Sequence, residues 1–438
     1  MHIELIGSRQ QFDGLQDNWT ELYQQDSSAN VFMSWCWLKQ LYDRRAEPVC
    51  ILAARLNSDS QNYAAFLPLR QRLLLDREQA RFTVSYALAG NDWADQTGLL
   101  CSPDIEHQVV EAFTAALAQM SWRSLYFSDM SMSENRYEEL VTQFSNLGYA
   151  VDVRSLTDNE GETRLDVAPC IALPATFEDY LKSLSANTRQ RLRRFGRVQE
   201  KSDDLKIEFS DHTTHEQNLQ WFVRVWRERW LASKGAKVDT LAEKYQIIMQ
   251  QGLEDGNLVL LVMHQSDKPI AMIACYLDEI RKTVSFFVAA RDLQFDSVPS
   301  GLLLHSYMIQ WAISNNYQRY HLLRGNEPYK YSLGGIDEPV YSIRVRRSNA
   351  VEKTRFLPIE YRGDALEQLS KRAGKLGRRQ MHKLYSQLLE SWPNDAQTLS
   401  HYKDWLNRIG DHDHANSIEN VLFAEDTQSK NTLINPHS

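Results

Sequence analysis

Nowhere does the chain carry an uninterrupted apolar run of the roughly 18 residues needed to span a bilayer. Its first residues, Met1 to Gly14, are acidic and polar where a secretory signal needs a basic start followed by an apolar stretch. Both features lead to the expectation of a soluble, cytoplasmic protein with no transmembrane segment. Cysteine is scarce. Cys36, Cys50, Cys101, Cys170 and Cys275 are odd in number, scattered, and set mostly in apolar runs, which points to reduced, buried thiols. None stands at metal-ligand spacing from another, and His412 and His414 fall in a polar tail, so no metal is expected. A net charge of −8 argues against general coating of nucleic acid, and no DNA partner is expected.

What remains is an ordinary globular composition, 43% hydrophobic and 24% charged. At 438 residues the chain exceeds a single core and calls for two or three domains. The first half reads as a mixed α/β unit. Helical patterns over 10–24 and 34–42 precede strand-like runs at 48–56, 62–69 and 82–88. A helix near 104–120 and further strands at 124–128 and 149–154 complete it. The polar stretch Thr157 to Thr163 marks a boundary.

The second half opens with helices at 176–184 and 186–200 and a strand near 206–209. A long helix follows, with Leu219, Phe222, Val223, Trp226 and Trp230 on one apolar stripe. Runs at 257–264, 269–277 and 283–290, joined by short turns, predict an antiparallel meander. A loop then feeds a helix with Leu302, Ile309 and Ile313 on its buried face, a strand at 319–323, and a late strand at 340–346. Beyond Val351 the pattern is helical and basic, with Lys371, Arg372, Lys375, Arg378, Arg379 and Lys383. It lacks a clearly apolar opposite face, so a solvated helix is expected there, followed by a disordered tail.

The strongest chemical signal is the strand, loop and helix over 283–315. Ser300 is expected to cap that helix. A helix start presents unpaired N–H groups and partial positive charge, which attract a phosphate. Gly301 lets a ligand approach the backbone, and Arg291 and Arg324 are candidates for the same anion.

In this order the segments Phe286-Phe287-Val288-Ala289, Arg291-Asp292, Ser300-Gly301-Leu302-Leu303 and Leu323-Arg324-Gly325-Asn326-Glu327-Pro328-Tyr329-Lys330 resemble the GNAT acyltransferase superfamily. They are most similar to its FemAB-like branch, which includes bacterial cellulose-biosynthesis acetyltransferases of the CelD/BcsL type. Weaker matches reach from Phe32-Met33-Ser34-Trp35 through Ala65-Phe66-Leu67-Pro68-Leu69 to the basic run Asn187 to Arg194. The chain departs from the family in its pyrophosphate loop, where Asp296-Ser297-Val298-Pro299-Ser300-Gly301 keeps only Gly301.

The resemblance implies an α/β (α+β) fold with two GNAT-like mixed-sheet domains in tandem, at 1–165 and 166–350. A helical extension over 351–410 and a disordered tail over 411–438 would follow. It implies an acyl-CoA-dependent N-acyltransferase, with acetyl-CoA or another acyl-CoA as co-substrate, acting on an amino sugar or related amine. The family setting is assembly of cell-surface polysaccharide, with possible association with that machinery. Phe287, Val288, Arg291, Ser300, Gly301 and Arg324 would hold the donor, with N–H groups near Val288 facing the thioester oxygen. Glu327 is the expected base, and Tyr329 or Lys330 serves the leaving thiolate.

The loop Asp92-Trp93-Ala94-Asp95 sets two carboxylates beside an aromatic ring, so Asp92, Trp93 and Asp95 are candidates for gripping a sugar or amine. Two other functions compete. One is Fem-like aminoacyl transfer from charged tRNA, which the basic run Arg189, Arg191, Arg193, Arg194 and Arg197 would permit. The other is a catalytically silent GNAT-like interaction subunit, which the shortened glycine signature would permit.

Overall fold

A computed structural model describes residues 1–44, 48–158, 161–202, 204–295, 299–347 and 357–419. The first part of the chain runs β1 (His2–Ile6), α1 (Arg9–Asp13), α2 (Gln16–Gln25), α3 (Trp35–Arg44), β2 (Ile51–Arg55), β3 (Ala65–Asp76) and β4 (Arg81–Leu88). It continues with β5 (Leu100–Cys101), α4 (Glu106–Gln119), β6 (Ser124–Met130), α5 (Glu134–Asn146) and β7 (Ala150–Val153). The single helix expected over 10–24 is two, and Gly14 sits at the break.

The second part runs β8 (Val167–Ala172), α6 (Phe177–Ser183), α7 (Ala186–Glu200), β9 (Leu205–Phe209), α8 (His215–Lys234) and α9 (Lys237–Glu254). Next come β10 (Leu258–Gln265), β11 (Lys268–Asp278), β12 (Thr283–Arg291), α10 (Ser300–Ser314), β13 (Arg319–His321), α11 (Pro328–Ser332) and β14 (Ile336–Pro339). Sequence pattern alone does not separate α9 from α8. Gly235, at φ +53°, ends α8 and starts the reversal into it.

Two mixed sheets result. One has the order β1-β2-β3-β4-β6-β15-β7, where β15 is Tyr341–Arg346; the other is β14-β8-β13-β12-β11-β10-β9. In the second, β10, β11 and β12 form the expected antiparallel meander. Ser266 and Asp267 make the tight β10–β11 turn, both at positive φ, as the twist of a two-residue hairpin demands.

The late strand is expected in the second unit, yet β15 is hydrogen-bonded between β6 and β7 of the first sheet. The chain therefore returns to the first unit after completing the second. Its C-terminal helices α12 (Arg362–Arg372), α13 (Arg378–Ser391) and α14 (Ala396–Arg408) pack on that same first-unit core.

This corrects the expectation of a solvated extension. Met381, Leu384, Tyr385 and Leu388 are buried at helical spacing, while Lys371, Arg378, Arg379 and Lys383 face water. The Gln387 amide fastens the extension by pairing with both backbone groups of Phe82. Residues 412–419, expected to begin a disordered tail, are helical, with Ala415 buried; 420–438 lie outside the described residues.

One apolar core spans both units. Phe32, Met33 and Trp37 of the first meet Tyr276, Phe287 and Leu323 of the second, with Phe32 and Trp37 edge-on to Tyr276. Cys36 is half-buried and the other four cysteines are buried, all as free thiols. No described helix is long and apolar enough to cross a membrane.

Candidate active site

The sheet of the second unit opens between β12 and β13. These strands pair in parallel at only three positions, Thr283 with Arg319, Val284 with Tyr320 and Ser285 with His321. Beyond that pair the chain leaving β13 stays with β8: the Leu322 N–H donates to the Pro169 carbonyl and the Gly325 N–H to that of Val167. Strand β12 continues alone on that side to Arg291, so Phe286 to Arg291 border a wedge. A register shift against β11, where Ala274 faces Val288 but Cys275 faces Phe286, makes Phe287 the extra residue of a bulge. Bulges re-aim backbone groups, and this one lies on the wedge at the positions expected to hold the thioester.

Leu323 makes the turn that opens the wedge. It takes the left-handed conformation, φ +57°, unusual for a branched residue, and its N–H donates to Nδ1 of His321 at 3.1 Å. Its side chain is buried in the shared core, which offsets the strained backbone. Lys330, 2% exposed, holds the turn from the other end. Its ammonium donates to the carbonyls of Leu323 at 3.0 Å and Arg324 at 2.6 Å and lies 3.0 Å from Glu327. Burial lowers its pKa, with the Glu327 carboxylate opposing.

Lys330 thus has its donors committed, and of the two candidates for protonating a thiolate, Tyr329 is the one left open. Tyr329 is 38% exposed, its ring stacks on His305 at 5.5 Å, and its hydroxyl has no hydrogen-bond partner among the described residues. Partial burial and then Glu327 raise its pKa, keeping the proton on oxygen. His305 is fully enclosed, with Nδ1 2.8 Å from the Tyr320 hydroxyl; burial, then Lys330, hold its pKa down to about 3, so the ring is neutral. Glu327 folds back over Gly325, whose φ of +113° and missing side chain make room for the carboxylate.

Ser300 does not cap α10. Pro299 occupies the cap position without a side-chain bond, and Ser300 is the first helical residue. Its hydroxyl is buried, 1% exposed, and lacks a hydrogen-bond partner among the described residues. A methyl placed on Gly301 would meet no atom of the described residues within 4 Å. The preceding residues 296–298 lie outside the described residues. Arg291 is exposed at the end of β12.

Arg324 and the acidic loop depart from their expected roles because each finds the other. The Arg324 guanidinium pairs with Asp129 and, at 3.4 Å, with Asp95, while its N–H donates to Asp95 at 2.8 Å. All three side chains are largely buried between the units, so this arginine is neutralised rather than held ready for a phosphate. Asp92 pairs with Arg70 at 2.7 Å, and its carbonyl accepts from Lys244. Trp93 packs with Trp37, Leu41 and Ile248 around a small apolar pocket. The loop joins the two units instead of presenting an open grip. Sequence reading missed Asp129, His305 and His321, which stand in apolar strands and a helix without local motif.

Residues 186–331, which span α7 through α11, match the family model described as an acetyltransferase (GNAT) domain. No curated protein matches the chain in sequence. Among solved structures, FemX aligns with a TM-score of 0.57 at 8% identity, covering 80% of this chain and 98% of that one. A conserved protein of unknown function from Bacteroides thetaiotaomicron VPI-5482 aligns at 0.47 and 12%, covering 79% and 100%. A tandem GNAT protein from the clavulanic acid biosynthesis pathway aligns at 0.44 and 8%, covering 78% and 98%. At its identity the FemX likeness is one of fold. The matched domain holds the splayed strands, the bulge and the helix start, and residues 186–331 form a GNAT acetyltransferase domain within a chain whose fold is like that of FemX.

Proposed function

We propose that the chain transfers an acyl group from a CoA thioester to the amine of an amino sugar or similar acceptor, in the building of cell-surface polysaccharide. The observation that carries this reading is the wedge itself: β12 is bulged and leaves β13 before a helix start where, among the described residues, the buried Ser300 hydroxyl has no partner and nothing crowds Gly301. A diphosphate at Ser300 and Gly301 would take the helix N–H groups and the stranded hydroxyl. The acyl arm would then lie along Phe287 and Val288, whose backbone donors stabilise the oxyanion.

The amine nitrogen adds to the thioester carbon as its proton passes, directly or through water, to Glu327. The C–S bond then breaks, and the thiolate takes its proton from Tyr329. Glu327 retains one carboxylate oxygen beyond its pairing with Lys330, and its side chain is 41% exposed, within reach of solvent. Incubation with acetyl-CoA and a panel of amines, with free thiol measured, tests the reading. Amine-dependent thiol release supports it, and thiol release that no amine accelerates contradicts it.

Aminoacyl transfer from charged tRNA is a second reading, favoured by one feature. Arg191, Arg193, Arg194 and Arg197 of α7 are exposed, and this helix lies against α10. Thermal-shift titration with acetyl-CoA and with charged tRNA separates the two, since only the true donor raises stability.

A further inference from the structure

A cavity of about 220 Å³ lies between the two units, and two of its lining residues are Ser285 and His321, the last paired residues before β12 and β13 part. Their neighbours Val284 and Tyr320 point the other way, into the core beneath α10. The cavity therefore meets the apex of the wedge on the sheet face away from α10. Its size corresponds to about seven waters at about 30 Å³ each, enough for one sugar ring.

Its lining is polar and incompletely satisfied. Gln96 from the first unit is 2% exposed and Ser285 is 4% exposed, yet neither side chain hydrogen-bonds to any described residue. Their polar ends open onto the cavity, where a ligand or water can pair with them. Its lining sets two arginines, Arg281 and Arg319, against two carboxylates, Asp278 and Glu338, so it holds no surplus charge of either sign. Arg319 pairs with Glu338, and Arg281 donates to the carbonyls of Gln24 and Ser27 at 3.1 and 3.0 Å.

The His321 ring accepts the Leu323 N–H on Nδ1, so its proton sits on Nε2, which lies 3.6 Å from Glu338. Asp278 accepts from the Tyr23 hydroxyl and the Arg281 N–H. A ligand here meets amide, hydroxyl and imidazole partners and two carboxylates matched by two arginines, with no surplus cation for a phosphate.

The geometry points to this cavity as the acceptor pocket, shaped for a single non-phosphorylated amino sugar whose amine reaches the thioester at the apex marked by Ser285 and His321. This rests on the acyl-transfer reading above and adds the acceptor's class and place. Hydroxyls of the sugar supply what Gln96 and Ser285 lack. A phosphorylated sugar brings negative charge that nothing in the lining is free to pair.

Titration calorimetry on the full chain tests the assignment, using glucosamine and glucosamine 6-phosphate, each with and without acetyl-CoA. Glucosamine should bind at least tenfold more tightly than its 6-phosphate. Gln96→Leu should weaken glucosamine at least tenfold while leaving acetyl-CoA affinity unchanged. Ser285→Ala, which removes a hydroxyl and adds no bulk, should weaken it severalfold and serves should Gln96→Leu fail to fold. Absence of glucosamine binding, tighter binding of the phosphate, or indifference to both substitutions overturns the assignment. Loss of acetyl-CoA binding with glucosamine binding intact and sensitive to Gln96 would instead overturn the donor reading and leave the pocket standing.

Discussion

The ammonium of Lys330 donates to the carbonyl of Leu323 at 3.0 Å, so a buried charge clamps the turn at which β13 leaves β12. Replacing Lys330 with Met strands two carbonyls and the Glu327 carboxylate. The expected cost is about 3 kcal/mol in urea denaturation, given that bonds to charged groups are worth about 1.5–3 kcal/mol each when lost from a buried site. Turnover should fall with stability, because the wedge loses its fixed edge. A variant as stable as the parent would show that the clamp does not hold the turn.

Tyr329 and Glu327 separate by kinetics. Tyr329→Phe should lower kcat by about 10²-fold with acetyl-CoA affinity unchanged, since it removes a proton and little else. Glu327→Gln should lower turnover by about 10²-fold or more. Unchanged turnover in either variant rejects the role assigned to that residue.

His305 makes a prediction about acid stability. Its folded pKa of about 3 lies below the ordinary value near 6.5 of an unfolded chain, so the folded state disfavours the proton. The stability contributed by the neutral ring is present above pH 6.5 and is lost as pH falls from there toward 3. His305→Asn should flatten that part of the stability profile. An unchanged slope between pH 6.5 and 4 would contradict the assignment.

Arg324 stands between Asp95 and Asp129, and its removal leaves two carboxylates facing each other at the junction of the units. Arg324→Met should destabilise the chain by about 3–5 kcal/mol, the range for breaking a buried ion pair from one side. Asp95→Asn, which leaves Asp129 to pair with the arginine, should cost less. Equal losses from the two variants would argue against a shared cluster.

Much of the second unit was legible because its signals are local. The β10–β12 meander shows as three apolar runs with short turns, and α10 as apolar residues at helical spacing. What escaped depends on distant partners. Nothing near Tyr341–Arg346 says that this strand crosses to the first sheet, since its apolar alternation fits either one. Arg324 and Asp95 each resembled a ligand-binding residue, and 229 positions of sequence hide that they bind each other. The wedge arises from hydrogen bonds of Leu322 and Gly325 to β8, a strand that no local pattern sets apart. Ser300 was placed at the right helix start, but one residue too early in its role, because Pro299 takes the cap.

Gly301→Leu offers the most direct measurement of the donor site. A Cβ at that position meets no atom of the described residues within 4 Å, and leucine favours a helix more than glycine does, so stability should hold or rise by up to about 1 kcal/mol. Acetyl-CoA affinity, measured by calorimetry on the same preparation, should fall at least tenfold as the side chain occupies the approach to the helix N–H groups. A stable variant that binds acetyl-CoA as tightly as the parent would contradict the placement of the diphosphate at this turn.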